Sequence, residues 1–158
     1  MQKAILVPVL YGAGKTNVLV SSELNLPNPA VKIWEEKAEI ADLSTQICKG
    51  KVIFQGVFLK QIIFINKESH LMEHYQKHVP FSGFIDVPCA EPGMELKYKD
   101  VLVEKASESK LIKTPKKSDE SMSENHSKPS KVHFKQVVNI EVEVYRKEKI
   151  CINDTEFD

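Results

Sequence analysis

One apolar run, residues 52–65, restricts the fold of this chain more than any other part of its sequence. Nearly every residue in the run is apolar, and many are β-branched or aromatic. Such a run predicts a strand buried on both faces and not an amphipathic helix. It is longer than most single strands and Gly56 interrupts it, so a bulge or bend is expected there. Residues 66–69 form a polar break, which predicts a hairpin turn before the chain returns towards Pro88.

Three other segments are also predicted to be strands. Residues 17–24 alternate apolar and polar side chains, residues 96–105 mix apolar and charged ones, and residues 132–145 show the cleanest alternation. In that last segment the apolar set is expected on the core and the polar set in water. Together with the apolar run, these segments predict an all-β fold, a sandwich or twisted antiparallel sheets of about seven to nine strands.

The remaining segments set the domain organisation. Residues 31–43 contain good helix formers but also alternate like a strand, so both structures stay open on propensity alone. Residues 107–131 are rich in serine, lysine and glutamate and poor in apolar side chains, which predicts a flexible polar loop. We therefore expect an arm or edge strand at 1–15, one β domain at 16–153 that contains this loop, and an acidic tail at 154–158.

Composition narrows the class of function. Lysine plus arginine and aspartate plus glutamate both number 22, so the formal net charge is zero. A nucleic-acid-binding chain would carry a basic excess, whereas a net charge near zero favours self-association. No run approaches the ~18 apolar residues of a membrane helix, and the apolar start of the chain contains Pro8 and no cleavage site. We therefore expect the protein to be made and kept in the cytosol, without nucleic-acid or membrane partners.

No motif predicts catalysis or a cofactor. Residues 12–16 look like the end of a phosphate-binding P-loop, but Val9 stands where the motif needs its first glycine. A glycine-rich turn before a strand is expected there instead. Ser82 lacks the G-x-S-x-G context of a nucleophile. The expectation is therefore a protein without enzymatic activity, catalytic residues or cofactor.

The histidines His70, His74 and His78 are spaced four residues apart. On a helix they would share a face, and such pairs can bind a metal ion. On a strand the same spacing separates neighbours by roughly 13 Å, which is too far for one ion. Because this stretch is predicted to be a strand or hairpin edge, no metal site is expected.

Short motifs follow one another in a fixed order along the middle of the chain: Lys51-Val52, Gly56, Lys60-Gln61-Ile62, Val79-Pro80-Phe81-Ser82-Gly83-Phe84 and Ala90-Glu91-Pro92-Gly93-Met94. With these motifs the chain resembles the SPOCS domain, a module of spore coat, exosporium and coat-morphogenetic proteins of spore-forming Gram-positive bacteria. The resemblance covers residues 16–152, since residues 24–33 and 135–150 fit its flanking pieces. It departs at Cys89, where a glycine is expected.

The resemblance implies a β-rich assembly module without catalytic residues, and it favours a strand for residues 31–43. The expected function is that of a non-enzymatic structural subunit, made in the mother-cell cytoplasm, that self-assembles into a coat, exosporium or fibre at the spore surface. Its expected partners are further copies of itself and other spore coat proteins. The alternative is a monomeric recruitment or glycan-binding module that anchors other coat proteins.

Two sets of residues are candidates for assembly contacts. The first set is Ile5, Val7 and Val9, in an apolar N-terminal segment that is either an edge strand or an arm docking on a neighbouring subunit. The second set consists of the three cysteines, Cys48, Cys89 and Cys151. They show no metal-binding spacing, so their thiols are either buried and inert or available for cross-links between subunits after oxidation.

Overall fold

The computed structural model describes residues 2–112 and 130–153. All regular secondary structure in these residues is β-strand, which confirms the all-β prediction with seven strands. In chain order the strands are β1 (Gln2–Asn25), β2 (Ala30–Cys48), β3 (Lys51–Asn66), β4 (Met72–Asp86), β5 (Glu95–Lys105), β6 (Lys110–Ile112) and β7 (Lys131–Asn153).

The strands form two antiparallel sheets that pack face to face. In the first sheet β7 is central, with β1 on one side and both β5 and the short β6 on the other. The second sheet has the order β2-β3-β4. Side chains join the sheets along both open sides of the sandwich. The Tyr98 hydroxyl donates to Thr45 Oγ1 at 3.2 Å on one side, and Lys77 Nζ donates to Ser22 Oγ at 3.1 Å on the other.

The core lies between the central strands β3 and β7. Their inward side chains sit at even positions, and the rings of Phe58 and Phe134 stack across the sandwich with centroids 6.0 Å apart. This confirms the core face predicted for residues 132–145. The buried apolar residues of the two strands are Val52, Phe54, Phe58, Ile62, Phe64, Val132, Phe134, Val138, Ile140, Val142 and Val144.

The prediction that residues 52–65 are buried on both faces is wrong. The odd positions of β3 lie on the outer face of the second sheet, where Ile53 is 41% exposed, because only one face of that sheet meets the other sheet. The bulge expected at Gly56 as one alternative is absent, since β3 pairs with β4 in continuous register past it. Gly56 instead makes room for a ring, because a Cβ there would lie 2.6 Å from Cζ of Phe81.

β2 settles the ambiguous residues 31–43 as a strand, in agreement with the expectation drawn from the resemblance. Its pairing with β3 shifts register at three places, between Ala30 and Lys32, between Ile33 and Glu35, and further on before Asp42. Such irregularities are common at sheet edges. Backbone pairing with β3 therefore outweighs the helix propensity of these residues.

β1 differs from its prediction in two ways. Residues 12–16 lie inside the strand, so the turn expected there is wrong, and the strand runs unbroken across the boundary predicted at residue 15. Residues 2–15 pair with β7 of the same chain, so the structure has the edge-strand alternative and not the arm. A bulge between Leu10 and Gly12 shifts the register by one residue. Core-facing positions are therefore odd before the bulge and even after it.

The flanks of the predicted loop at 107–131 belong to the first sheet. β6 lies in its first part and pairs with the start of β7. Near its end, buried Ser130 accepts a hydrogen bond from the Ala30 amide at 3.0 Å through its Oγ. The rest of the loop, 113–129, and the predicted acidic tail at 154–158 lie outside the described residues.

Candidate functional site

β1 and β7 continue past β5 as a two-stranded ribbon, made of residues 2–9 and 146–153. β5 pairs with β7 only as far as Tyr145, and β1 is the one strand of the described residues that pairs with β7 beyond it. Isolated two-stranded ribbons are marginally stable in water. A further contact would therefore stabilise this ribbon.

One face of the ribbon is apolar and continues the core face of the first sheet. Val144 is buried, and the even positions of β7 beyond it point the same way, together with the odd positions of β1 that pair with them. This apolar ribbon face consists of Ile5, Val7, Val9, Ile150 and Ile152. Ile5 pairs directly with Ile150, and each is 42% exposed. Large aliphatic side chains are thus left partly in water.

Polar contacts fix the base of the ribbon. The guanidinium of Arg146 lies 5.6 Å from the centre of the Tyr11 ring and 3.3 Å from a carboxylate oxygen of Glu91. The Tyr11 hydroxyl donates a hydrogen bond to Glu148 in the ribbon. Glu91 belongs to the loop between β4 and β5, so these contacts connect the ribbon to the loop that joins the two sheets.

The three apolar assembly candidates thus share one face, whereas the three cysteines lie apart. Cys151 is exposed in the ribbon, on the face opposite the apolar one, Cys89 is exposed in the β4–β5 loop, and Cys48 is half-buried at the end of β2. All three are free thiols. Sequence analysis missed Ile150 and Ile152 as assembly candidates, although they stand out as apolar residues after a charged stretch.

The histidines lie where the strand prediction put them. His70 is in the β3–β4 turn with a φ of 59°, and His74 and His78 lie along β4. His74 Nε2 is 3.0 Å from Gln61 Oε1, an exposed contact between neighbouring strands. Within residues 2–112 and 130–153 there is no group of three or more side chains that could hold a metal ion.

A cluster that sequence analysis did not predict lies inside the sandwich. Lys60 of β3 is 1% exposed, and its Nζ donates a hydrogen bond of 2.8 Å to Oε1 of Gln136. Gln136 belongs to β7 of the opposite sheet and is 3% exposed. The Lys60 ammonium also lies 5.3 Å from the centre of the Phe134 ring. A charged group in an apolar core is costly unless it is paired.

Glu36 of β2 supplies the opposite charge and, with Lys60 and Gln136, forms what we name the buried polar cluster. Its Oε2 is 3.7 Å from Lys60 Nζ, and its Oε1 is 2.6 Å from Lys105 Nζ. Burial raises the pKa of Glu36, but hydrogen bonds from Lys105 and Ser109 and the charge of Lys60 outweigh it and leave the pKa below its ordinary value. Burial lowers the pKa of Lys60, and the Glu36 carboxylate offsets part of that change.

Glu36 is expected to make stability depend on acid pH. Because its folded-state pKa lies below its unfolded-state value of 4.5, its contribution is complete above that value and is lost as the pH falls through the folded-state pKa. The free energy of unfolding should therefore fall more steeply below about pH 4.5 in the wild type than in Glu36→Gln. Urea denaturation at a series of pH values measures both slopes. Glu39→Gln is the control, because Glu39 is an exposed carboxylate on the same strand, and its slope should equal that of the wild type. A Glu36→Gln slope equal to that of the wild type would contradict the prediction.

The sequence does contain a signal for the buried polar cluster. Even positions are buried in both residues 52–65 and residues 132–145, and each series contains one long polar side chain. These are Lys60 and Gln136. A long polar residue in the core series of a central strand indicates that its side chain needs a polar partner inside the fold.

Comparison with known proteins finds a family whose model matches part of the chain. The family model described as SipL, SPOCS domain, matches residues 29–107, which run from just before β2 to just after β5. β1, β6 and β7 lie outside the matched part, and with them the ribbon and Gln136. No curated protein and no solved structure matches the chain. In the described part of the chain, no helix has the length and apolar character needed to cross a membrane.

Proposed function

This chain belongs to the SPOCS domain family, and on that basis we propose that it is a non-enzymatic structural subunit that self-assembles at the spore surface. The family connects the chain to sporulation. In the proposal, the subunit is made in the mother-cell cytoplasm and becomes part of a coat, exosporium or fibre. Its partners are copies of itself and other spore coat proteins.

The apolar ribbon face is the observation that carries this proposal. Burying a fully exposed large aliphatic side chain contributes roughly 1.5–3 kcal/mol, and because the five side chains of this face are already partly buried, each would contribute only a part of that to a contact before association costs are subtracted. Contiguous apolar surface of this kind marks interaction sites on soluble proteins. Its position as a continuation of a core face suits it to packing against another sheet.

The occupant proposed for this face is the same face of a second copy. Besides its apolar residues the face carries two cations, Lys3 and Arg146, and an anion, Glu148; Arg146 is already paired with Glu91 of the same chain. Two copies related by a two-fold axis can therefore meet without like charges opposing one another. The zero net charge of the chain also keeps repulsion between copies small.

A layer or fibre needs a second contact besides a two-fold one. The exposed thiols of Cys89 and Cys151 are candidates for it, because disulfides between subunits form once the surroundings become oxidising. The head-to-tail insertion of residues 2–9 beside a neighbour's strand is less suited to this role, because those residues already pair with β7 of their own chain.

Size-exclusion chromatography with light scattering tests the proposal. The wild type is expected to form dimers or larger species, and the double variant Ile5→Asp/Ile150→Asp is expected to be a folded monomer, since two charges would then be buried at the contact. Leu19→Asp is the matched control. Leu19 lies on the same strand and is 60% exposed, but it lies outside the ribbon, so its variant should assemble like the wild type.

A wild type that stays monomeric at high concentration, both oxidised and reduced, would reject self-assembly. The monomeric recruitment or glycan-binding module that anchors other coat proteins would then take its place. Assembly that survives the double Asp variant would keep the function but move the contact to another surface.

A further inference from the structure

We propose that Lys60 and Gln136 become joined by an intramolecular isopeptide bond, with Glu36 moving the protons. The buried polar cluster carries this inference, which does not depend on the ribbon or on self-assembly. It assigns a covalent modification site that links the two sheets of the sandwich through their central strands.

The cluster contains the three groups that such a reaction needs. Lys60 supplies an amine as nucleophile, Gln136 supplies a carboxamide carbon as electrophile, and Glu36 supplies a carboxylate. The amine nitrogen donates a hydrogen bond of 2.8 Å to Oε1, the oxygen bonded to the carbon that it would attack, and lies 3.7 Å from a carboxylate oxygen of Glu36. Confinement of the amine and the carboxamide in one buried site raises their effective concentration, which offsets the low reactivity of an amide.

The surroundings favour bond formation over hydrolysis. Lys60 and Gln136 are 1% and 3% exposed, and the rings of Phe58 and Phe134 stack beside them. Water is therefore kept from the carboxamide, and a charged ammonium is disfavoured relative to the neutral amine that reacts. The lowered pKa of Lys60 agrees with this effect of burial.

The step balances without an oxidant or other reagent. The Glu36 carboxylate accepts a proton from the Lys60 ammonium, and the free amine attacks Cδ of Gln136 to form a new C–N bond. The tetrahedral centre then passes a proton from the attacking nitrogen to the leaving nitrogen by way of Glu36. The Cδ–Nε2 bond breaks, and ammonia leaves and takes the last proton from Glu36. One ammonium ion is released for each bond, and Glu36 returns to its carboxylate form.

The bond would act as a clamp across the core. Lys60 and Gln136 are 76 positions apart in the chain and belong to opposite sheets. A cross-link of this span removes much of the freedom of the unfolded chain, as a disulfide with a long loop does. Unlike a disulfide, an amide bond does not respond to reducing agents.

Mass spectrometry of the full chain, denatured and reduced, tests the proposal directly. The expected wild-type mass is lower than the mass calculated from the sequence by one ammonia molecule, and proteolysis should give a branched peptide that contains both Lys60 and Gln136. Gln2 can lose ammonia by cyclising if Met1 is removed, so the measurement is made on a Gln2→Ala background. Lys99→Met is the control, since Lys99 is an exposed lysine 3.6 Å from the Glu141 carboxylate and its loss should leave the deficit unchanged.

Two variants separate the roles in the cluster. Lys60→Met and Glu36→Gln should both show the full calculated mass, the first because the nucleophile is gone and the second because the proton acceptor is gone. Lys60→Met should also melt lower than the wild type by more than about 10 °C, since it loses the cross-link. A wild-type chain that keeps its full mass after prolonged incubation in the folded state, at neutral and alkaline pH, would overturn the proposal. That measurement decides the question even if a variant fails to fold.

Discussion

Phe58→Ala is expected to lower the free energy of unfolding by about 3–5 kcal/mol, as removal of a large side chain from a packed core does. Phe58 is fully buried at the middle of β3 and stacks on Phe134 across the sandwich. Truncation leaves a cavity next to the buried polar cluster, where neighbouring strands of a sheet have little freedom to close it. Urea denaturation followed by circular dichroism measures the change, and an unchanged m-value shows that the unfolded state is not responsible.

His133→Ala is the control for that measurement. His133 is half-buried on the opposite face of β7 from the core, so its removal should change the free energy of unfolding by no more than about 0.5 kcal/mol. Similar losses for the two variants would mean that an outward side chain of β7 contributes as much to stability as an inward side chain of β3. The core assignment of the even positions would then be contradicted.

Alternation predicted the face of one central strand correctly and that of the other incorrectly, for a physical reason. In residues 132–145 the outward side chains are polar, so the period of two is visible in the sequence. In residues 52–65 the outward side chains are apolar as well, although Ile53 is 41% exposed. Apolar content shows that a side chain tolerates burial, but whether a second layer covers it depends on the fold.

The buried polar cluster shows the same limit from another side. Lys60 breaks an apolar series and Gln136 breaks another, and each break is visible by itself. That they meet depends on which strands face each other across the sandwich, which local sequence does not encode. The apolar ribbon face shows the same limit. Ile5 was predicted as an assembly residue but its neighbour Ile150 was not, because the two are far apart in the sequence and meet only through the pairing of β1 with β7.

The glycines that imitate a P-loop are explained by packing, and Gly14→Ala should be among the most damaging single changes. A Cβ at Gly14 would lie 2.6 Å from the backbone oxygen of Asp86 and 2.7 Å from Cγ2 of Ile85. Real Cβ atoms do not approach other atoms so closely, so β1 or the end of β4 has to move. Overpacking costs about 1–3 kcal/mol and occasionally more. Because one clashing atom belongs to the backbone, we expect a loss of about 3 kcal/mol in urea denaturation.

Lys15→Ala is the matched control one residue further along β1. Lys15 is exposed, so its truncation should change the free energy of unfolding by no more than about 0.5 kcal/mol, and neither ATP nor GTP should raise the melting temperature of either protein. The physical contrast is between a position where the two sheets touch and a neighbour that points into water. If Gly14→Ala is as mild as Lys15→Ala, the close approach of β1 to β4 is wrong. If a nucleotide raises the melting temperature and Lys15→Ala abolishes that effect, residues 12–16 bind phosphate after all.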